Sequence, residues 1–345
     1  MNRSHVQIGP DRYRECYGLV FEDFEVGQVF DHRPGITVHQ IENAWEALGT
    51  LNQAMIHFDD HYSAQTEFGR PLVVSTLTVQ RLVGMGWRTL GQRRRIRSFP
   101  EIRMTAPVFG GTTLYSRSTV LEVADATDGP TGDVLVSIEG RDETGRTVAV
   151  IRAWLEVFRA AAAPSDPTGG GGGRPFASHR RGDDGRWIEI TGVGFEEFRP
   201  GQVFEHRPGR RFTAADAWLR SALAGEQTAA LIDPDVAAVA HDGAAAIPET
   251  LLVTAGATAS TKTLGRVVAN LGWTDIEIHR RPDDGEMVYA ESEVLEVRDS
   301  RSRPDQGILR VATRGEDAAG GPIFSFERSL LVYRTGQGPY AASGY

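Results

Sequence analysis

The feature that most constrains the fold of this chain is an internal repeat. The segment Phe21–Gly35, which reads FEDFEVGQVFDHRPG, returns 174 residues later as FEEFRPGQVFEHRPG. Two further segments return in the same order, SRSTVLEV as AESEVLEV and AWLEVFR as SLLVYR. Three collinear matches indicate a tandem duplication of one folding unit. The chain is therefore expected to form two copies of a single architecture.

The two copies are separated by a stretch of glycine, proline and alanine, AAAAPSDPTGGGGGRP. This composition is typical of a flexible linker. We predict a first domain at residues 1–159, a linker at 160–184 and a second domain at 185–345. The total length of 345 residues suits two domains of ordinary size.

Each copy shows helical periodicity first and strand periodicity afterwards. In the first copy, Ile41, Trp45 and Leu48 predict a short amphipathic helix that ends near Gly49. A longer helix is predicted from about residue 71 to 90, because proline suits a first turn. Alternating apolar and polar residues then predict three strands: Thr113–Val123, Val134–Asp142 and Thr147–Phe158.

The second copy repeats this order of elements. A long helix covered by an antiparallel meander, present twice, predicts an α+β chain with a tandem (double) hot-dog fold. Unpaired sheet edges are a liability, so we also expect the two copies to pack as a pseudo-dimer within one chain. Whether two chains associate as a homodimer is left open by the sequence.

Composition and charge argue against several classes of function. The net charge is −9, and the short basic run Arg93–Arg95 is the only one, so nucleic-acid binding is not expected. That run fits either a solvated loop or a contact with an acidic ligand. No apolar run is long enough to cross a bilayer, and the N-terminus does not read as a signal peptide. The single cysteine, Cys16, suits a reducing cytoplasm, and no residues show metal-ligand spacing, so we expect a cytoplasmic protein without metal or cofactor.

The residues that suggest chemistry lie between Gly49 and Leu77 of the first copy. Asn52 and His57 stand five residues apart in an otherwise apolar segment. A neutral imidazole can accept a proton near pH 7, whereas an amide can orient a nucleophile but cannot deprotonate it. The alternative is that His57 is a structural histidine of the fold.

The segment Gly69-Arg70-Pro71 breaks the chain before the next helix, whose first N–H groups are suited to an oxyanion. Arg70 is placed either to bind a carboxylate or to tie this loop to the helix. The second copy lacks these groups, because Leu231 occupies the position of His57. His241 follows in a stretch of small residues, and we interpret it as a loop histidine.

The sequence resembles the MaoC-like double hot-dog proteins that act on 2-enoyl thioesters. The resemblance is clearest in the segments NQAMIHFD and EFGRPLV. The hydratase signature of that family, Asp-x-Asn-Pro-x-His, falls on residues 52–57. The resemblance implies that His57 is the catalytic base and that Asn52 replaces the aspartate. It also places Ser75 where a glycine normally offers the oxyanion N–H, with Gly69 and Arg70 in the substrate-binding loop.

The change from aspartate to Asn52 puts ordinary water activation in doubt, since the two groups act together in hydratases. The order of the copies, with the signature in the first one, resembles that of the dual-function thioesterases of actinobacterial specialised metabolism. That resemblance implies addition of glycine to a 2-enoyl thioester of CoA or an acyl carrier protein, followed by thioester hydrolysis to an N-carboxymethyl-3-amino acid. The alternatives are a mesaconyl-CoA-hydratase-like enzyme that adds water and a non-catalytic acyl-thioester-binding protein.

Overall fold

The computed structural model describes residues 5–125, 129–163, 178–190, 192–225, 227–240 and 247–340. Its α-helices are α1 Gln40–Gly49, α2 Asp60–Ser63, α3 Ser75–Met85, α4 Trp87–Leu90, α5 Ala214–Leu223, α6 Ala229–Ile232, α7 Pro234–Ala240 and α8 Glu249–Ala259. Among these helices, none combines the length and apolar character needed to span a membrane.

The strands are β1 His5–Gly9, β2 Arg12–Glu15, β3 Val29–Thr37, β4 Arg93–Met104, β5 Thr113–Ala124, β6 Thr131–Arg141, β7 Thr147–Phe158, β8 His179–Arg181, β9 Trp187–Glu189, β10 Val203–Arg211, β11 Val267–Ile278, β12 Met287–Asp299, β13 Gln306–Glu316 and β14 Pro322–Tyr333. They form two seven-stranded sheets, in the orders β4-β7-β6-β5-β3-β9-β8 and β1-β2-β10-β12-β13-β14-β11. Most neighbouring strands are antiparallel, as the alternating sequence predicted.

The chain divides into two compact units, and two short segments belong to the unit of the opposite copy. The N-terminal unit contains the described residues of 17–163 and 178–190, and the C-terminal unit contains 5–16 and 192–340. The two short segments do so because β2 pairs with β10, whereas β9 pairs with β3. The hairpin β1–β2, which precedes the first copy in sequence, thus joins the sheet of the C-terminal unit. The hairpin β8–β9, which precedes the second copy, joins the sheet of the N-terminal unit. We call these two the exchanged hairpins.

In the N-terminal unit, α3 lies against the inner face of the meander. Leu77, Leu82 and Met85 of α3 are buried in the same core as the inward-facing residues of β5, β6 and β7. The helix approaches the sheet so closely that a Cβ at Gly140 would lie 2.3 Å from Leu82 Cδ1. The C-terminal unit repeats this packing with α8, and each unit is therefore a hot-dog fold of the α+β class.

The strands β5, β6 and β7 confirm the predicted meander, but other expectations need correction. The central helix begins at Ser75 rather than near residue 71, because Leu72 forms a β-bridge with Phe109. The basic run at 93–95 begins the edge strand β4 instead of forming a loop. Helix α1 forms as predicted, yet its apolar residues Trp45 and Leu48 are exposed and its buried face carries Asn43 and Ala47.

A buried polar cluster occurs in each unit where the exchanged hairpin meets the sheet. In the N-terminal unit, Glu189 of the hairpin accepts hydrogen bonds from His32 Nδ1 at 2.9 Å and from Thr89 Oγ1 at 2.7 Å. Because the Thr89 hydroxyl proton is used there, Thr89 Oγ1 accepts from Nε2 of His179, 2.7 Å away. The C-terminal unit repeats the arrangement 174 residues away, with Glu15, His206, Thr263 and His5 in the same roles.

Burial has the largest influence on the pKa of the outer histidine in each cluster. It lowers the pKa of His179 to about 4, against the opposing attraction of Glu189. It lowers the pKa of His5 to about 4 in the same way, against Glu15. Burial raises the pKa of the glutamates, but hydrogen bonds and nearby positive charge outweigh it, so that the pKa of Glu15 falls to about 2.

The free energy of unfolding should therefore decrease as the pH falls from 6.5 to 5. Over this range the unfolded chain protonates its histidines while His5 and His179 stay neutral in the folded state. Each of them should remove about 2 kcal/mol of stability between pH 6.5 and 5. The glutamates do not contribute in this window, because their stabilisation is lost only below their unfolded pKa, near 4.5.

Urea titrations at pH 7 and pH 5 check this expectation. His179→Gln should show a weaker dependence of stability on pH than the wild type. His61→Gln is the matched control, because His61 is exposed and should leave the dependence unchanged. The same pH dependence in His179→Gln and in the wild type would contradict the assignment.

Candidate functional site

His57 ends a 3₁₀ turn, Met55–His57, and its ring is held in one orientation by the backbone. Its Nδ1 lies 2.7 Å from the carbonyl oxygen of Leu72. Since a carbonyl only accepts, Nδ1 must carry the proton, and in the neutral ring the lone pair is then on Nε2. No described residue makes a hydrogen bond to Nε2, and the side chain is half-buried. The ring therefore presents a proton-accepting nitrogen.

A buried amide that sequence reasoning missed, Asn43 of α1, fixes the backbone around this ring. Its Nδ2 donates to the carbonyls of His57 at 2.8 Å and Leu72 at 3.0 Å. Its Oδ1 accepts from the N–H of Val74 at 2.7 Å, directly before α3. One fully buried side chain thus connects α1, the His57 turn and the start of the central helix. The sequence offered one signal for this role. Asn43 stands four positions before Ala47, so the two residues lie on the same face of α1.

Asn52 lies in the same loop as His57, but no hydrogen bond joins the two side chains among the described residues. Its Oδ1 accepts from the N–H of Ala54 at 2.9 Å, closing a local turn. Leu51 before it has a φ of 59°, a left-handed conformation that is uncommon outside glycine. The amide oxygen is therefore engaged by the turn, whereas Nδ2 is available as a donor.

Ser75 is the first residue of α3 and is exposed. Its N–H makes no hydrogen bond to another described residue, as is usual in the first turn of a helix. The preceding N–H, that of Val74, is occupied by Asn43. The free N–H and the positive end of the helix dipole thus provide a place where negative charge is favoured.

Gly69 and Arg70 lie in the turn that leads to this helix. Gly69 has a φ of 66°, which favours glycine at this position. The guanidinium of Arg70 lies over the ring of Phe109, 4.2 Å from its centre, and the side chain is exposed. No carboxylate among the described residues forms an ion pair with Arg70, so its N–H donors are available to an anion.

At the positions equivalent to Asn43 and His57, the C-terminal unit has other residue types. The buried positions of α5 include Ala217 and Ser221, and Ala217 corresponds to Asn43 by the repeat offset. The position of His57 is taken by Leu231 in α6. His241, interpreted above as a loop histidine, lies outside the described residues. In the ranges that the structure describes, no group of three or more His, Cys, Asp or Glu side chains could hold a metal ion.

Asn43→Ala should lower the free energy of unfolding by about 3 kcal/mol, since it removes three hydrogen bonds and leaves the buried N–H of Val74 without its acceptor. Gln80→Ala is the control, because Gln80 makes one exposed hydrogen bond to Glu46 and its loss should cost little. Chemical denaturation of both variants measures the difference. Equal losses in the two variants would show that Asn43 does not secure the loop.

Comparisons with known proteins point to one group of relatives. The family model for mesaconyl-CoA hydratase matches residues 188–344, which lie in the second copy. The β-methylmalyl-CoA dehydratase of Chloroflexus aurantiacus is 28% identical over 102 residues, 30% of this chain and 29% of that protein. The matched segment thus spans less than a third of that relative's length.

Two solved structures are similar along nearly the whole chain. A MaoC domain dehydratase from Chloroflexus aurantiacus aligns over 92% of this chain and 98% of its own, with 18% identity and a TM-score of 0.41. A double hot-dog protein from Mycobacterium tuberculosis aligns over 92% and 99%, with 17% identity and a TM-score of 0.38. The family match and the sequence relative confirm the predicted resemblance to MaoC-like double hot-dog proteins. None of these proteins is described as a glycine-adding thioesterase.

Proposed function

We propose that this protein is a MaoC-like hydratase or dehydratase that adds water to, or removes it from, a 2-enoyl thioester of CoA. The observation that carries the proposal is the geometry of His57, whose Nδ1 donates to Leu72 and whose Nε2 is left as a base. The relatives named above are a hydratase family and a dehydratase, each with a CoA thioester in its name. They favour water over glycine, and no observation on the structure favours glycine.

The proposed reaction begins with polarisation of the thioester carbonyl. A hydrogen bond from the N–H of Ser75, strengthened by the dipole of α3, stabilises the negative charge that develops on the carbonyl oxygen. This withdrawal of electrons makes Cβ electrophilic. The role of Ser75 is a backbone role, so its side chain can differ from the glycine of the family pattern.

His57 then serves as the base and, afterwards, as the acid. Nε2 takes a proton from water as the oxygen bonds to Cβ and the Cα–Cβ π bond breaks, and the imidazolium returns that proton to Cα. The product is a 3-hydroxyacyl thioester, and the reverse sequence is dehydration. Asn52 can donate from Nδ2 to the water oxygen and so orient it, while Arg70 can bind an anionic group of the substrate.

His57→Gln should reduce turnover of crotonyl-CoA by about 10² to 10⁴-fold, because it removes the general base. The thermal midpoint should change little, since the ring contributes one hydrogen bond to a half-buried loop. His61→Gln, a change of the same kind at an exposed position in the same segment, should retain activity. Turnover of His57→Gln at the wild-type rate would overturn the assignment of the base.

Asn52→Asp should maintain or increase the rate of hydration, because a carboxylate can help His57 to deprotonate water. The turn should persist, since the new carboxylate can still accept from the N–H of Ala54. Asn52→Ala, which removes that acceptor, should reduce the rate instead.

Mass analysis of incubations with crotonyl-CoA, with and without glycine, identifies the nucleophile. The 3-hydroxyacyl product should form at the same rate in both. A glycine adduct that replaces it would reject water in favour of the amine.

A further inference from the structure

A buried cation in the C-terminal unit, Arg328, has no role in the chemistry proposed above. Arg328 lies on β14, where it is paired in the ladder with Val311 of β13 and Trp273 of β11. The residue is only 6% exposed. An arginine at such a position is unusual, because charged side chains are rarely buried unless they are paired.

No carboxylate in the described ranges forms an ion pair with Arg328. Its one hydrogen bond there is from Nη2 to the hydroxyl of Ser260, at the end of α8, and Nε has no partner. Burial lowers the pKa of Arg328 to about 10. Arg310, on the adjacent strand, is by contrast exposed and paired with Glu327.

The equivalent position in the other copy carries no charge. The repeated segments AWLEVFR and SLLVYR end at Arg159 and Arg334, so the repeat offset is 175 residues here and Ala153 is equivalent to Arg328. The ladders agree, because Arg328 pairs with Val311 as Ala153 pairs with Val136. The N-terminal unit therefore completes the same sheet with a methyl group. Burying a charge costs free energy, and only one copy has this charge. A ligand that binds to Arg328 explains it better than the fold does.

We propose that Arg328 binds an anionic oxygen of a ligand, a carboxylate or a phosphate, which supplies the missing counter-charge. The guanidinium offers a planar fork of N–H donors that matches either group. Ser260, which donates its own proton to the carbonyl of Ala257, accepts from Nη2 and fixes the orientation of the fork. A CoA thioester carries phosphates, and some acyl chains carry a carboxylate, so both sources are tested.

Four ligands separate the two sources: butyryl-CoA, succinyl-CoA, and the butyryl and succinyl thioesters of N-acetylcysteamine. The CoA pair carries phosphates, the succinyl pair carries an acyl carboxylate, and butyryl-N-acetylcysteamine carries neither. All four have saturated acyl chains, so binding is measured without hydration and the result does not depend on the proposed reaction. Affinities for the full chain are measured by titration calorimetry.

The wild type should prefer one of the two anions. It should bind either the two CoA thioesters or the two succinyl thioesters at least about ten-fold more tightly than the counterparts that lack that anion. Arg328→Met should lose this preference, and Arg328→Lys, which keeps the charge without the fork, should reduce it. Arg310→Met is the matched control and should keep it. Loss of the preference for the CoA pair identifies phosphate, and loss of the preference for the succinyl pair identifies the acyl carboxylate.

Thermal unfolding without ligand tests whether Arg328 is merely structural, for example as a cation at the end of α8. If the charge awaits a ligand, Arg328→Met should unfold at the same temperature as the wild type or higher. A clear loss of thermal stability in both Arg328 variants would assign a structural role and overturn the proposal. Unchanged affinities of both variants for all four ligands, or no binding by the wild type, would overturn it as well.

Discussion

The buried carboxylate at the end of each exchanged hairpin is the interaction on which each unit depends. Glu189 accepts from the ring of His32, the N–H of Arg33 and the hydroxyl of Thr89, so it joins β9 to β3 and to α4. A buried carboxylate that lost these donors would cost far more than the separate hydrogen bonds contribute. Docking of the hairpin and completion of the sheet are therefore coupled, and a unit includes a segment from the far side of the linker.

The two copies share this polar cluster but differ in the groups that suggest chemistry. The N-terminal unit has Asn43 where the C-terminal unit has Ala217, and its His57 corresponds to Leu231. The C-terminal unit has Arg328 where the N-terminal unit has Ala153. Both copies have kept the same sheet, central helix and buried polar cluster. Each copy also carries polar groups that these shared features do not need. Such groups are the natural candidates for function, because stability alone does not account for them.

The sequence predicted the meander and the central helix because these depend on local periodicity, which the strands of Thr113–Ala124 and Thr147–Phe158 show clearly. It could not predict the exchanged hairpins, since their partners lie in the opposite half of the chain. Strand β4 was missed because it is an exposed edge strand with little alternation. His57 was proposed as a site residue from its residue type, whereas Asn43 was not recognised, because its role comes from tertiary contacts to the backbone of Leu72 and Val74.

The orientation of His57 also bears on how a site of this kind can function with an amide in place of a carboxylate. A carboxylate next to a catalytic histidine commonly selects the tautomer and helps to accept charge. Here the carbonyl of Leu72 already selects the tautomer, and Asn43 holds that carbonyl in place. Under the proposed function, a site with Asn52 therefore has no second base, but His57, its first base, is still correctly oriented. A single base can still transfer one proton to and from the substrate, which is all that reversible hydration requires.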